Sequence, residues 1–156
     1  MEIFQSGSGL VATITVFSSV CILIYFAVKT LITSNRFQKG VTLYQQKNYE
    51  AAEVAFREVI AINSTNDVVH LLLGDCLVQQ DRVKDAIAEF QFVIQRAPKK
   101  VDAYLRLSNA LIAQGNRSEA ISNLEKSRDL FQAQRQPQKA EQVNQLLQKL
   151  QSKRSV

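Results

Sequence analysis

The chain has 156 residues, a formal net charge of +5, one His, two Cys and no Trp. That length fits one domain, a single His excludes a histidine-based metal cluster, and two cysteines, Cys21 and Cys76, so far apart do not make a disulfide framework. The charge is uneven: residues 1–94 hold seven Lys/Arg and nine Asp/Glu, net −2, and residues 95–156 hold twelve and five, net +7. A basic last third points to anionic headgroups or an acidic protein surface. Its cations are scattered and have no aromatic platform among them, which argues against nucleic acid.

Residues 9–28, GLVATITVFSSVCILIYFAV, contain no charged side chain. Twenty helical residues span about 30 Å, the thickness of a bilayer's hydrocarbon core. Thr13, Thr15, Ser18 and Ser19 point to several sides, so there is no polar face, and each can bond back to its own helix. Tyr25 and Phe26 lie near one end, where an aromatic belt would fall. No basic residue precedes the stretch and no Ala-x-Ala follows it, so the expectation is an uncleaved anchor over 9–30 with a short exoplasmic or lumenal tail at 1–8. Lys29, Arg36 and Lys39 follow the span, and the positive-inside rule then puts the C-terminal part on the cytoplasmic or stromal side.

A repeating pattern begins at once, with a constant offset of 34. Gly40, Leu43, Ala52, Phe56 and Val59 align with Gly74, Leu77, Ala86, Phe90 and Val93, and then with Ser108, Leu111, Ala120, Leu124 and Ser127. Small residues at the first and third of these positions let paired helices approach, and large ones fill the seam. Asn48, Asp81 and Asn116 stand where the second helix of each unit should start, and Asn116 with Glu119 has capping-box spacing. Arg96, Lys99 and Lys100 gather where the second unit's last helix should end, opposing its dipole, and Pro98 helps stop that helix. Ala140, Val143, Leu146, Leu147 and Leu150 continue the helical spacing beyond the third unit.

This period, with small and large residues so placed, resembles the tetratricopeptide repeat, a helix–turn–helix unit. The resemblance implies an all-α fold: an N-terminal transmembrane helix, then a short α-solenoid. Three units are expected over residues 34–135 (about 33–66, 67–100 and 101–134), with a capping helix over 136–152 and a frayed tail at 153–156. The fourth position of a unit, often Trp, is Arg36, His70 or Tyr104 here, and His70 is expected to pack rather than transfer protons.

In that family the first helix of each unit lines a trough. The matching positions give Phe37, Val41 and Tyr44, then Leu71, Asp75 and Val78, then Leu105, Asn109 and Ile112 as partner-binding residues. Gln45, Gln79 and Ala113 complete the set. Phe37, Leu71 and Leu105 stand where a carboxylate clamp would need a cation, so the resemblance implies a largely apolar trough for an amphipathic helix or apolar segment. Arg96, Lys99, Lys100, Lys153 and Arg154 form the expected basic docking surface. Gly74 and Gly115 stand alone, with no Gly-rich phosphate loop, and Asp81 and Asp85, one helical turn apart, have no metal-like companions, so no enzyme, cofactor, metal or small-molecule substrate is expected.

An anchor followed directly by three repeats resembles the small membrane-bound tetratricopeptide proteins of cyanobacteria and plastids that assist photosystem I assembly. That resemblance implies a thylakoid location and contact with photosystem I subunits or assembly intermediates. An organelle import receptor for amphipathic presequences and a bacterial envelope scaffold share the layout. The basic last third disfavours the receptor, because presequences are themselves basic.

Overall fold

The computed structural model describes residues 2–152, with side chains from Val11 onward except residue 12. The tail expected at 153–156 lies outside the described residues. Among those described there are seven helices and no strand: α1 (Glu2–Gln45), α2 (Tyr49–Ile62), α3 (Asp67–Gln79), α4 (Val83–Arg96), α5 (Val101–Gln114), α6 (Arg117–Ala133) and α7 (Pro137–Ser152). Each helix packs on its neighbour in sequence, and α3 also touches α5. The result is an antiparallel stack of helix pairs.

Helix α1 is one unbroken rod of 44 residues, about 66 Å at 1.5 Å per residue. Nothing stops it between the apolar segment and the first repeat. Residues 29–36 hold no Pro or Gly, and the hydroxyls of Thr30 and Thr33 donate to the carbonyls of Phe26 and Lys29 one turn back. Apolar side chains from Val11 to Ile32 are exposed on every side of the rod, and by length and composition it is able to cross a membrane.

From Phe37 onward the same helix joins the core. Ala52, Phe56 and Val59 of α2 are fully buried, as are Val69, Cys76 and Leu77 of α3 and Ala86 and Val93 of α4. A second cluster of Val101, Leu124, Phe131, Ala140, Val143 and Leu147 ties α5, α6 and α7 together. Helix α7 thus covers the apolar side of α6 that the last repeat would leave open.

Paired helices meet at a glycine. A Cβ on Gly40 would lie 2.6 Å from Cε1 of Phe56, and one on Gly74 would press still closer on the Phe90 ring. In the third unit the couple is Ser108 with Leu124, both fully buried, and the Ser108 hydroxyl donates to the carbonyl of Tyr104 at 2.7 Å. The larger small residue is matched by a side chain without a ring.

The turns correct one expectation. Asp81 is not the cap of α4; Arg82 is, and Asp81 has φ 60°. Lys47, Asp81 and Gly115, spaced by 34, all take left-handed backbone, and the cap follows each: Asn48, Arg82 and Asn116. Asn48 accepts from the Ala51 amide at 3.2 Å. Asn116 caps without that bond, its amide donating to Glu119 Oε2 at 2.7 Å, so the expected capping box is a side-chain pair instead.

Arg82 is spent elsewhere. It donates to both oxygens of the buried Glu53 at 3.0 and 2.8 Å, and to Asp85. Gln80 and Arg57 donate to Glu53 as well, which pins α2 to the α3–α4 turn. Burial alone would raise the Glu53 carboxyl, but the hydrogen bonds from Arg57, Gln80 and Arg82 outweigh it and hold the group below its ordinary value of 4.5.

Two measurements test this account. Gly74→Ala should lower stability by about 1–3 kcal/mol through overpacking. Gly74→Ser combined with Phe90→Leu, which copies the third unit, should have a higher urea midpoint than Gly74→Ser alone. For Glu53 the folded value lies below the unfolded one, so its contribution is present above the ordinary value and is lost as pH falls through the depressed one. Glu53→Gln should therefore cost about 1–2 kcal/mol at neutral pH, and the difference from the parent should shrink in urea titrations as pH falls below 4.5.

Candidate partner-binding groove

The first helices of the three units, α1, α3 and α5, contribute to one open hollow of about 280 Å³. Tyr44, Asp75, Val78, Gln79, Arg106 and Asn109 line it, with Phe90 and Ala110 also contributing. Residues three or four apart on a helix share a face, which is why Asp75, Val78 and Gln79 of α3 and Arg106, Asn109 and Ala110 of α5 reach one hollow.

An ion pair crosses it from Asp75 to Arg106, joining the second unit to the third. Burial pushes the Arg106 guanidinium below its ordinary value, while the neighbouring Tyr44 acts the other way. Burial, with smaller effects from Cys76 and Tyr49 and against that of Arg106, raises the Tyr44 phenol, so it is a neutral hydroxyl at physiological pH. Its ring packs edge-on against Tyr49 at 5.5 Å. Beneath, burial and then Glu53 push the Cys76 thiol up to about 11, leaving a protonated, inert core thiol.

Tyr44, Asp75, Val78, Gln79 and Asn109 are the expected lining residues that the cavity brings together. The others go elsewhere. Leu71 is corrected: it is 4% exposed, one of the core side chains that fill the space between helices. Leu105 is corrected too, since it packs against the second cluster with α6 and α7. Val41 and Ile112 are half-buried against the main core. Phe37 packs near Phe56, ring centroids 6.3 Å apart, and lines a different cleft beside Phe26 and Lys29.

The hollow is consequently less apolar than a trough built on Phe37, Leu71 and Leu105 would be. Arg106 was not among the expected residues. Its signal is an Arg three positions before Asn109, on the same face, in the unit next to one that offers Asp75. Its one cation is tied to a carboxylate, so the hollow is not a ready-made carboxylate clamp. It offers a hydroxyl, two amides, an ion pair and an apolar side chain, groups that hold a peptide rather than transform it.

The expected basic surface is divided. Arg96 donates to Asp67 at 3.3 Å and lies over the Phe92 ring at 5.7 Å. Lys99 is exposed and Lys100, the cap of α5, is half-buried. Gln134 donates to the Lys99 carbonyl, so the α6–α7 turn lies beside the α4–α5 turn. Arg117, at the start of α6, donates to the Leu150 carbonyl, which brings α7 to its end at the opposite edge of the stack. Lys153 and Arg154 lie outside the described residues.

His70 is a packing residue. Its Nε2 donates to the Ser64 carbonyl at 3.1 Å, Nδ1 is 2.6 Å from Glu89 Oε2, and the ring stacks near Phe92. Tyr104, at the same position of the next unit, donates to the Pro98 carbonyl at 3.1 Å. Both close the turn between units by reaching back to a carbonyl that precedes their own helix.

The tetratricopeptide repeat family model matches residues 43–91 and 78–150. A DnaJ homolog subfamily C member 7 homolog from Dictyostelium discoideum is 27% identical over 97 residues, 60% of this chain, which spans only 18% of that relative's length. Among solved structures, the type III secretion translocator chaperone SycD of Yersinia enterocolitica superposes with a TM-score of 0.72 at 18% identity, over 79% of this chain and 86% of that one. The TPR2B domain of yeast Sti1, in its pHsp70 complex, gives 0.72 at 20% identity over 79% and 98%. PcrH of Pseudomonas aeruginosa, in complex with the chaperone-binding region of PopD, gives 0.71 at 16% identity over 78% and 92%. At such identities these likenesses concern the fold. With its regular period, its stacked helix pairs and the match running through both of its later units, the chain belongs to the tetratricopeptide repeat family.

Proposed function

We propose that this protein is a membrane-anchored scaffold that holds a peptide segment of a client protein in the groove between α1, α3 and α5. The observation that carries the reading is the hollow lined by Tyr44, Asp75, Val78, Gln79, Arg106 and Asn109. Its polar groups suit the backbone and polar side chains of a bound segment, and Val78 with the Tyr44 ring suits an apolar one. Structural relatives lend support by what they hold: SycD with a peptide of the translocator YopD, and PcrH with a region of PopD. The work assigned to the groove is binding, with no catalytic step.

The apolar half of α1 is assigned to lipid as a single span, with Lys29, Arg36 and Lys39 keeping the repeats on the cytoplasmic or stromal side. Confinement to a surface raises the groove's effective concentration against membrane clients. The narrower part of the proposal names those clients as photosystem I subunits or assembly intermediates at a thylakoid membrane. Its support is the layout, one apolar helix leading directly into three repeats.

Alkaline carbonate should leave the chain in the membrane pellet, and protease added to sealed vesicles of native orientation should spare the repeats; release by carbonate overturns the anchor. A photocrosslinker at Asn109 should capture a client in native membranes, and its identity separates photosystem subunits from precursor peptides and envelope machinery. Asn109→Arg, at an exposed position of the lining, should weaken client co-purification about tenfold, equivalent to about 1.4 kcal/mol, while the urea midpoint stays unchanged. Undiminished co-purification moves the client off this groove.

A further inference from the structure

We infer that the junction between the apolar half of α1 and the repeats is a binding site for the headgroup of an anionic phospholipid. This rests on the anchor proposed above and adds a ligand to it. Among residues 13–32 of α1, Lys29 alone is half-buried; every other side chain there is exposed. It is tucked under the end of α2 and lines two adjoining cavities at once. One, of about 400 Å³, is walled by Tyr25, Val28, Ile32 and Ile62. The other, of about 460 Å³, includes Asn63 and Asn66 of the α2–α3 turn.

The chemistry of the second cavity is that of an anion site. No carboxylate lines either cavity, and among the described residues no ion pair engages Lys29. Both asparagine oxygens are committed to the turn. Asn63 Oδ1 accepts from the amide and hydroxyl of Thr65 at 3.2 and 2.9 Å, and Asn66 Oδ1 accepts from the Val69 amide at 3.3 Å. What the two side chains have left to offer is their NH₂ donors. An ammonium and two amide donors around one space match a phosphate diester.

The first cavity continues onto the exposed apolar side of α1, where an acyl chain would lie. A free phosphate would use the donors and leave that surface bare; a phospholipid uses both. The surroundings agree in sign. Asn63 and Asn66 bring the α2–α3 turn to the end of the stack that faces the apolar segment. The Asp67–Arg96 and Gln134–Lys99 contacts carry the α4–α5 and α6–α7 turns to that same end. Lys99, Lys100 and Arg135 lie in those turns, and basic side chains near an anionic surface each add to the attraction.

The test uses the full chain in detergent, offered equal amounts of phosphatidylglycerol and phosphatidylcholine and read by native mass spectrometry. Phosphatidylglycerol adducts should exceed phosphatidylcholine adducts about fivefold, and Lys29→Gln should remove that preference. Asn63→Asp with Asn66→Asp keeps both oxygens that the turn needs and replaces the donors with charge. That variant should lose the preference while melting at the parent's temperature. Equal adducts on the parent chain, or a preference untouched in both variants, overturn the inference. So does loss of the preference on adding excess inorganic phosphate, which identifies a free-anion site. Carbonate extraction reads the anchor separately: a chain that stays in the membrane yet shows no preference sinks the headgroup site alone.

Discussion

Everything in this stack depends on how closely the two helices of a unit can approach. The contact is a glycine hydrogen against a phenyl ring, at Gly40–Phe56 and again at Gly74–Phe90. It brings the backbones near enough for Ala52 and Ala86 to seal the seam with no exposed surface. The third unit buries Ser108 and Leu124 completely at the same two positions, a hydroxymethyl standing in place of the glycine hydrogen and a branched aliphatic side chain in place of the ring. The serine oxygen is buried without penalty, since it bonds back to Tyr104. Only when the pairs close to this degree do α1, α3 and α5 form a common face, and so the groove follows from the seam.

The position one helical turn before each of these small residues shows how one constraint selects different chemistry. His70 and Tyr104 share no acid–base character, yet each supplies a donor to a carbonyl in the preceding turn, at Ser64 and Pro98. The turn between units leaves a carbonyl to satisfy, and a ring of that length reaches it. Arg36 occupies the position in the first unit, but residue 30 there lies inside an unbroken helix whose carbonyl already has a partner. Arg36 instead pairs with Glu58 of α2 at 3.4 Å. What looks like a departure from the repeat at Arg36 is the consequence of having no turn before it.

How much of this was legible beforehand divides along the range of the interactions. The seam was legible because its small and large side chains recur at a fixed place in every unit, and so was the apolar rod, which lacks any charge from Gly9 to Val28. The α4 cap was not. Asp81 is the better capping residue by type, but the chain passes through left-handed backbone there, and the helix starts at Arg82. Arg82 is drawn by Glu53 on α2, in the preceding unit, and nothing local announces that pair. In the groove, Leu71 and Leu105 occupy positions that line troughs elsewhere in the family. Here the core and the α7 side take them, because apolar side chains at the edge of a face turn inward wherever space is offered. Arg106 was invisible for the opposite reason. Its role comes from Asp75 on another helix, and a one-dimensional period does not register a pair that spans two units.

The continuity of α1 sets a distance that the separate parts do not. Lys29 and Tyr44 are on one helix with no break between them, so the groove stands about 22 Å along the axis from the lysine at the edge of the apolar segment. With that segment in a bilayer, a client leaving the same membrane must extend about seven residues before it meets the hollow, at roughly 3.3 Å per extended residue. Segments buried in lipid are out of reach, and so are short loops. The reachable ligands are tails and longer loops near the surface, which carry polar side chains. A groove containing Asp75, Arg106, Asn109 and a tyrosine hydroxyl suits them better than a purely apolar trough would. With the rod in a bilayer, its length and the mixed lining would favour the same class of segment for independent reasons, one by reach and the other by chemistry.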